Sequence, residues 1–257
     1  MAQTSAAPAQ KPRSGGVQSI ERAFGLLETM ADAGGRVGLS RLAEESGLPL
    51  PTIHRLARTL VDLGYLRQEA SRQYVLGPRL IRLGEASSSM LSVWARPHLQ
   101  SLVDELGESA NLAMLDGDEI VYVAQAQSGR AMRMFTEVGR RVLPHCTAVG
   151  KAILADLPAP RVAELLGRTG MPRFTDSTLT SVAEFEKVLA TVSERGYALD
   201  DGEQEVGVRC VAVSLPQAPS RLGISVSGPA TRMTDEVIAR AIPLIRHAGD
   251  ELTAALK

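Results

Sequence analysis

Apolar residues recur at helical spacing in the stretch LSRLAEESGLPLPTIHRLARTLVDLGYL, which spans residues 39–66. The pattern predicts two short helices joined by a tight turn at Gly47, with the second helix beginning near Pro51. Polar side chains lie opposite the apolar stripe of the second helix or on its flanks. They include Thr52, His54, Arg55, Arg58 and Thr59. Such a face is typical of the reading helix of a DNA-binding helix-turn-helix, and the alternative is a solvated helical hairpin.

Two further patterns flank this pair of helices. Residues 19–33 (SIERAFGLLETMADA) repeat apolar residues at helical spacing, with Ile20 and Phe24 expected to face the core. Ser19 and Ser40 are each expected to cap a helix, because a serine hydroxyl accepts from an unpaired backbone N–H. Residues 65–76 form two strand-like runs around a polar turn, which predicts a β-hairpin. Together these elements predict a winged helix-turn-helix over residues 16–78, after a disordered arm over residues 1–15.

Several side chains of this predicted domain suit contacts to DNA. Arg55 and Arg58 can each offer two parallel donors to guanine O6 and N7. Hydroxyl and cationic groups on the helix flanks, on the first helix and beside the hairpin turn suit phosphates instead. The residues expected to contact DNA are Ser19, Arg22, Thr52, His54, Arg55, Arg58, Thr59 and Arg72. The alternatives for the two arginines are solvated charges or, for Arg58, an ion pair with Asp62 four residues on.

The second part of the chain mixes helical and strand patterns. Residues 79–95 predict a linker helix, whose apolar side chains would pack against a second subunit or against the next domain. Its apolar members include Leu83, Met90, Leu91 and Trp94. Residues 96–257 predict a hairpin around residues 116–118, further strands at 132–135, 197–201, 208–215 and 221–229, and a final helix capped by Thr234. Because no βα unit repeats, we expect an α+β domain with a curved antiparallel or mixed sheet.

Composition and charge narrow the class of protein. The chain is 44% hydrophobic and 22% charged, which is ordinary for a globular protein, and no apolar run approaches a membrane span. Its two cysteines, Cys146 and Cys210, are too few for a disulfide framework and fit a cytoplasmic location, nucleoid-associated when DNA is bound. Residues 1–80 hold 10 Lys/Arg and 7 Asp/Glu, whereas the remainder holds 18 and 22. Positive charge is therefore concentrated in the predicted winged domain, as DNA binding requires.

Catalytic and metal-binding roles have little support in the pattern. Cys146 could act as a nucleophile with His145 as its base, but sequence neighbours rarely present such groups to each other. The chain has neither a Gly-rich nucleophile elbow nor a phosphate-binding loop. His98, His145, Cys146 and Cys210 lack zinc-ligand spacing. We therefore predict a protein that is not an enzyme and holds no metal or cofactor, with an enzyme fused to a winged helix as the remote alternative.

The order of elements and several motifs resemble the IclR family of bacterial transcription regulators. The most specific match is GYALDDGEQEVGVRCVA, in which Gly196, Asp200, Glu203 and Cys210 agree with the spacing of the family signature. VQSIERAFGLLE, TIHRL, LPHCTAVGKAIL and GISVSGPATRMTD match the family as well. Within the family, the chain looks most similar to the allantoin-utilisation repressors.

The resemblance implies a GAF-like effector-binding domain in the C-terminal part. It also implies a homodimer, and a dimer of dimers, on palindromic operator DNA. The residues implied to bind the effector are Ala131, Met134, Ala148, Val149, Asp200, Cys210, Ser225 and Ser227. Ser225 and Ser227 lie on the same face of one predicted strand, but alternation does not determine whether that face meets solvent or the pocket.

The chemistry of these residues suggests a class of effector. The backbone N–H groups of Ala148 and Val149, at the entry to a helix, favour an anion. An ionised Asp200 can only accept hydrogen bonds and would repel a second carboxylate, so the far end of the ligand should carry donors. This predicts allantoate as effector of a repressor of allantoin or purine breakdown, with glyoxylate second. The alternative is an activator or repressor of aromatic or short-chain acid catabolism.

Overall fold

The computed structural model of the chain describes residues 16–88, 91–131 and 137–256. These residues form two compact units, one ending at Ser87 and the other beginning at Ser88. Each unit has a buried apolar core of its own and is described by itself. No helix among the described residues is long and apolar enough to cross a membrane.

The first unit is a winged helix-turn-helix. Its elements are α1 (Gln18–Asp32), β1 (Arg36–Val37), α2 (Leu39–Ser46), α3 (Leu50–Asp62), β2 (Leu66–Gln68), β3 (Tyr74–Leu76) and α4 (Arg79–Ser88). The strands form an antiparallel sheet in the order β1-β3-β2. Leu42, Ile53 and Leu66 are buried together and join α2, α3 and the sheet. The predicted helix pair and hairpin are confirmed, and Gly47 ends α2 in the left-handed conformation (φ 65°).

Both predicted serine caps are wrong. Ser19 and Ser40 lie inside the first turns of α1 and α2, because each helix begins one residue before its serine. An N-cap residue has non-helical backbone angles, which a serine within the helix does not adopt. The sequence also did not predict β1, a strand of two residues that is too short to produce a recognisable alternation.

The buried face of α1 also differs from the expectation. Ile20 and Phe24 are 54% and 60% exposed within the first unit, whereas Leu26, Leu27 and Met30 are buried. Apolar residues lie on more than one side of α1, so helical periodicity alone is compatible with either face. Packing of α1 against α2 and α3 selects the face that carries Leu26 and Met30.

The second unit is an α+β domain built on one antiparallel sheet. Its elements are α5 (Leu91–Leu106), β4 (Ser109–Asp116), β5 (Glu119–Ala126), β6 (Arg141–Val142), α6 (Ala148–Ala155), α7 (Ala159–Thr169), α8 (Val182–Arg195), β7 (Ala198–Asp201), β8 (Val208–Leu215), β9 (Leu222–Pro229) and α9 (Asp235–Ala255). The strand order is β6-β5-β4-β9-β8-β7, and every neighbouring pair is antiparallel. The sheet is curled, as the sequence predicted, and it is antiparallel instead of mixed. Thr234 caps α9 as expected, since its hydroxyl accepts from the Val237 N–H at 3.4 Å.

Helices cover both faces of this sheet. On one face, α5 and α9 pack against apolar side chains that include Ile224 and Val226 of β9. On the other face, α6 and α8 pack against a smaller cluster that includes Ala113 and Ala212. Gly223 lies on this second face, where a Cβ would come within 2.7 Å of the Val149 side chain. The absence of a side chain at Gly223 therefore allows α6 to lie close to β9.

The start of the second unit corrects one predicted boundary. The sequence predicts that the linker helix ends at residue 95, but α5 runs from Leu91 through Pro97 to Leu106. A proline inside a helix removes one hydrogen bond. Ala95 and Leu99 on either side of it are fully buried in the core, and this packing offsets the loss. The expected arm at 1–15, the expected strand at 132–135, Met90 and the side chain of Leu91 lie outside the described residues.

Candidate functional site

The exposed side of α3 carries the residues expected to read DNA. The core-facing residues are Ile53, Ala57 and Leu60. On the other sides, His54, Arg55, Arg58 and Thr59 are exposed and Thr52 is half-buried. Among the described residues neither Arg55 nor Arg58 forms an ion pair, so the alternative bridge from Arg58 to Asp62 is not formed. Both guanidinium groups are therefore available to a ligand.

The remaining predicted DNA contacts lie on α1 and in the wing. Ser19 is exposed and Arg22 is half-buried on α1. Arg72 is exposed in the turn between β2 and β3, where its φ of 63° is left-handed. The Thr59 hydroxyl donates to the backbone oxygen of Arg55 at 3.0 Å, so it is already engaged within the helix. The outer face of α3 and the wing form a candidate nucleic-acid interface, and the individual contacts stay predictions.

A cavity of about 40 Å³ lies in the second unit between the sheet and the start of α6. It is lined by six of the residues expected to bind an effector, namely Ala148, Val149, Asp200, Cys210, Ser225 and Ser227. Ser225 and Ser227 are 2% and 5% exposed, so their face of β9 meets the cavity and not solvent. Ala131 is exposed and is not among the residues that line the cavity, and Met134 lies outside the described residues.

The sequence analysis missed several residues that line the cavity. These are Tyr122, Arg140, Val142, Thr147, Gln204, Glu205 and Val208. Gln204 and Glu205 could have been found, because they stand between Asp200 and Cys210 in the matched motif. Tyr122 and Arg140 belong to the β5–β6 edge of the sheet, and no local pattern in the chain brings that edge to β7 and β8.

The start of α6 forms the anion-favouring end of the cavity. Thr147 caps the helix, since its hydroxyl accepts from the Gly150 N–H at 3.1 Å. The first backbone bond of the helix runs from the Lys151 N–H to the Thr147 oxygen. The N–H groups of Ala148 and Val149 precede that bond and have no helical acceptor. Two backbone donors and the positive end of the helix dipole are thus directed at the cavity.

The Asp200 carboxyl is buried in the cavity wall, with 3% of the residue exposed. Burial raises its pKa to about 7, against the opposing effect of the hydrogen bond that its Oδ1 accepts from the Glu203 N–H at 2.8 Å. Near neutral pH a large share of the molecules therefore carries a protonated carboxyl, which can donate. An ionised Asp200 that only accepts was expected, and this pKa limits that expectation to the fraction of molecules that is deprotonated, about half at pH 7.

A buried ion pair supports the loop that carries part of the cavity wall. The Lys151 Nζ of α6 donates to the Glu203 Oε1, and both residues are buried. The backbone oxygen of Glu203 also accepts from the Thr178 hydroxyl at 2.6 Å. These contacts hold the β7–β8 loop, with Gln204 and Glu205, beside α6. In the sequence, this ion pair is indicated by Lys151, which is the single charged residue in the otherwise uncharged helix AVGKAILA.

The cysteines and histidines do not form a catalytic or metal centre among the described residues. Burial raises the pKa of Cys146 to about 12 and also raises that of Cys210, so both remain thiols near neutral pH. Burial lowers the pKa of His145, whose Nε2 lies 3.0 Å from the Pro172 oxygen. His98 lies apart, with its Nδ1 3.1 Å from Glu251 Oε2. Within the described ranges, no group of three or more His, Cys, Asp or Glu side chains could hold a metal ion.

Comparison with known proteins agrees with this two-part arrangement. The IclR helix-turn-helix domain matches residues 19–70, and the bacterial transcriptional regulator IclR C-terminal domain matches residues 85–254. The transcriptional repressor IclR of Escherichia coli is 35% identical, over 97% of this chain and 93% of that protein. The acetate operon repressor of Salmonella typhimurium is 34% identical, over 95% and 92%. The repressor AllR of Salmonella typhi is 30% identical, over 94% and 90%, so the allantoin-utilisation subgroup is not the nearer one.

Solved structures show the same fold. The IclR transcriptional regulator from Alicyclobacillus acidocaldarius has a TM-score of 0.81 at 26% identity, covering 94% of this chain and 100% of that one. The IclR of Thermotoga maritima has a TM-score of 0.74 at 27% identity, covering 93% and 98%. These relatives are transcription regulators and not enzymes. The chain therefore belongs to the IclR family of DNA-binding transcriptional regulators.

Proposed function

We propose that this regulator represses a catabolic operon and is released from its operator by a small carboxylate bound in the cavity of the second unit. The observation that carries the proposal is the convergence of polar groups from separate elements on one buried cavity. Ser225 and Ser227 come from β9, Asp200 from β7 and two backbone donors from α6. Small-molecule sites characteristically combine a few such groups with apolar walls.

The size of the cavity favours a short acid. A cavity volume of about 40 Å³ lies well below the roughly 300–1,000 Å³ that is usual for the site of a drug-sized ligand. A two-carbon acid such as glyoxylate fits this space, whereas allantoate is much larger and would require the cavity to expand. The protonation of Asp200 also removes the reason for preferring a ligand with donors at its far end. We therefore rank a glyoxylate-sized carboxylate before allantoate.

The mode of DNA binding follows from the first unit. A homodimer would place two copies of α3 in successive major grooves of a palindromic operator, with Arg55 and Arg58 at the base edges. Two dimers would assemble through their effector domains. An effector can release such a complex only if it binds the free conformation more tightly than the DNA-bound one.

Operator binding measured with and without acids tests this proposal. Fluorescence anisotropy would follow the chain on DNA from its own upstream region, with a scrambled duplex as control. Glyoxylate, allantoate and 4-hydroxybenzoate would be added in turn. Of these three acids we expect glyoxylate to weaken operator binding most, and no effect of any small acid would refute the proposal.

A matched pair of variants locates the effect in the cavity. Asp200→Ala should leave operator binding intact and abolish the response, because a buried polar group of the ligand left without its partner costs about 1–3 kcal/mol. Asp201→Ala is the control, because Asp201 is exposed on the same strand and does not line this cavity. An unchanged response in Asp200→Ala would exclude the cavity as the effector site.

A further inference from the structure

Two consecutive arginines at the edge of the sheet have opposite surroundings. The Arg141 side chain lies 2.9 Å from Asp116 Oδ2 and 2.8 Å from Glu119 Oε2, so two carboxylates neutralise it. Arg140 is one of the residues that line the cavity; it is exposed, and it forms no ion pair with any carboxylate among the described residues. Arg140 is thus a cation at a ligand cavity without a partner of its own.

Strand geometry explains why the two side chains diverge. In β6, Val142 pairs with Ile120 and Arg141 with Val121, and the Tyr122 N–H donates to the Arg140 oxygen at 3.1 Å. Successive residues of an extended segment point to opposite faces. Arg140 and Val142 accordingly line the cavity, whereas Arg141 does not. The backbone bond to Tyr122 holds Arg140 at this position.

The other ionisable groups around the cavity would repel an added anion only weakly. Lys151 and Glu203 neutralise each other beneath the wall, and burial keeps the pKa values of Tyr122 and the two neighbouring thiols above their usual range. The Asp200 carboxyl is largely protonated below about pH 7. Glu205 is the other carboxylate residue among the described lining residues, and it is exposed like Arg140, so water screens both charges.

We propose that Arg140 binds a second anionic group of the effector, so that the ligand is a short dicarboxylate held between Arg140 and the start of α6. This inference rests on the proposed function, because it specifies the ligand of the same cavity. One carboxylate would accept from the backbone donors of Ala148 and Val149, and the other would accept from the guanidinium. A planar guanidinium matches a carboxylate with two parallel hydrogen bonds.

Calorimetric titration of the full chain with matched acids tests the proposal. Oxalate and malonate would each be compared with the corresponding monoamide, which keeps the size and removes one charge. We expect at least one dicarboxylate to bind about tenfold more tightly than its monoamide, because a hydrogen bond between two charged groups is stronger than one to a neutral amide; tenfold corresponds to about 1.4 kcal/mol. Arg140→Gln should abolish that preference, and Arg140→Lys should restore part of it.

Arg141→Gln is the control, because it removes the adjacent charge away from the cavity, and it should keep the preference. Equal binding of dicarboxylate and monoamide by the wild type would overturn the inference, as would a preference that survives Arg140→Gln. If no dicarboxylate binds but glyoxylate binds in a manner that depends on Asp200, the inference fails and the proposed function stands. If no acid binds at all, both fail.

Discussion

Arg72 adopts a backbone conformation that is unfavourable for its residue type. Its φ of 63° is the one positive value among the described non-glycine residues. The wing turn requires this conformation, because the Arg72 N–H donates to the Glu69 oxygen and the Glu69 N–H donates to the Gln73 oxygen, each at 2.9 Å. For an L-residue with a Cβ the left-handed region costs roughly 1–2 kcal/mol. We predict that Arg72 contacts a DNA phosphate, so that its charge favours DNA binding while its backbone conformation lowers stability.

Two substitutions separate the strain from the charge. Arg72→Gly removes both, and the relief of about 1–2 kcal/mol is partly offset by the roughly 0.5–1 kcal/mol of extra chain entropy that glycine loses. The net expectation is a gain of about 0.5–1 kcal/mol in the free energy of unfolding, or a few degrees in the melting temperature of a domain of this size. Arg72→Ala keeps the Cβ and the strain, so its stability should stay within about 0.5 kcal/mol of the wild type.

Both substitutions should weaken DNA binding in the same way. A lost phosphate contact lowers affinity for all sequences alike and reduces the slope of log affinity against log salt by about one. Scanning calorimetry of the full chain would measure stability, and anisotropy titrations at several salt concentrations would measure the slope. Equal stability of the glycine and alanine variants would refute the strain argument. An unchanged salt slope in both would remove Arg72 from the DNA interface.

Three further predictions concern the reading helix, assembly and pH. Arg55→Ala or Arg58→Ala should lower operator affinity by about 1–3 kcal/mol and relax base preference in a binding-site selection assay, whereas an unchanged base profile in both would exclude α3 from reading. Val93 and Trp94 are 64% and 53% exposed on α5, and we predict that this face joins two subunits. Replacing both residues with glutamine should then lower the dimer fraction in analytical ultracentrifugation. A wild-type protein that is monomeric at micromolar concentration would contradict this prediction. Because the folded-state pKa of Asp200 is raised to about 7 from 3.8, its contribution to stability is fully present below about pH 4 and is lost as pH rises to about 7. In denaturant titrations, Asp200→Asn should therefore be more stable than the wild type at pH 8 and no more stable at pH 4. The same difference in the free energy of unfolding at both pH values would disprove the raised pKa of Asp200.

Local patterns in the sequence were sufficient for many of the helices and strands of this protein, although not for β1 or for the start of α5. The apolar stripe through Ile53, Ala57 and Leu60 predicted α3 because helical period and burial coincide there. Gly47 and Thr234 marked helix ends because the left-handed turn and the N-cap each require particular residue types. These features depend on residues within a few positions of each other, and such interactions can be read along the chain.

Features that depend on contact between distant segments were decided only by the tertiary structure. Alternation placed Ser225 and Ser227 on one face of β9, but only packing of α6 on that face made it the wall of a cavity. The protonation of Asp200 follows from burial, which many elements produce together and no motif encodes. Arg140 lines the cavity because the sheet, whose strand order is β6-β5-β4-β9-β8-β7, curls so that its β6 edge approaches its β7 edge. Solvation and long-range pairing are properties of the assembled fold, so a single sequence leaves them open.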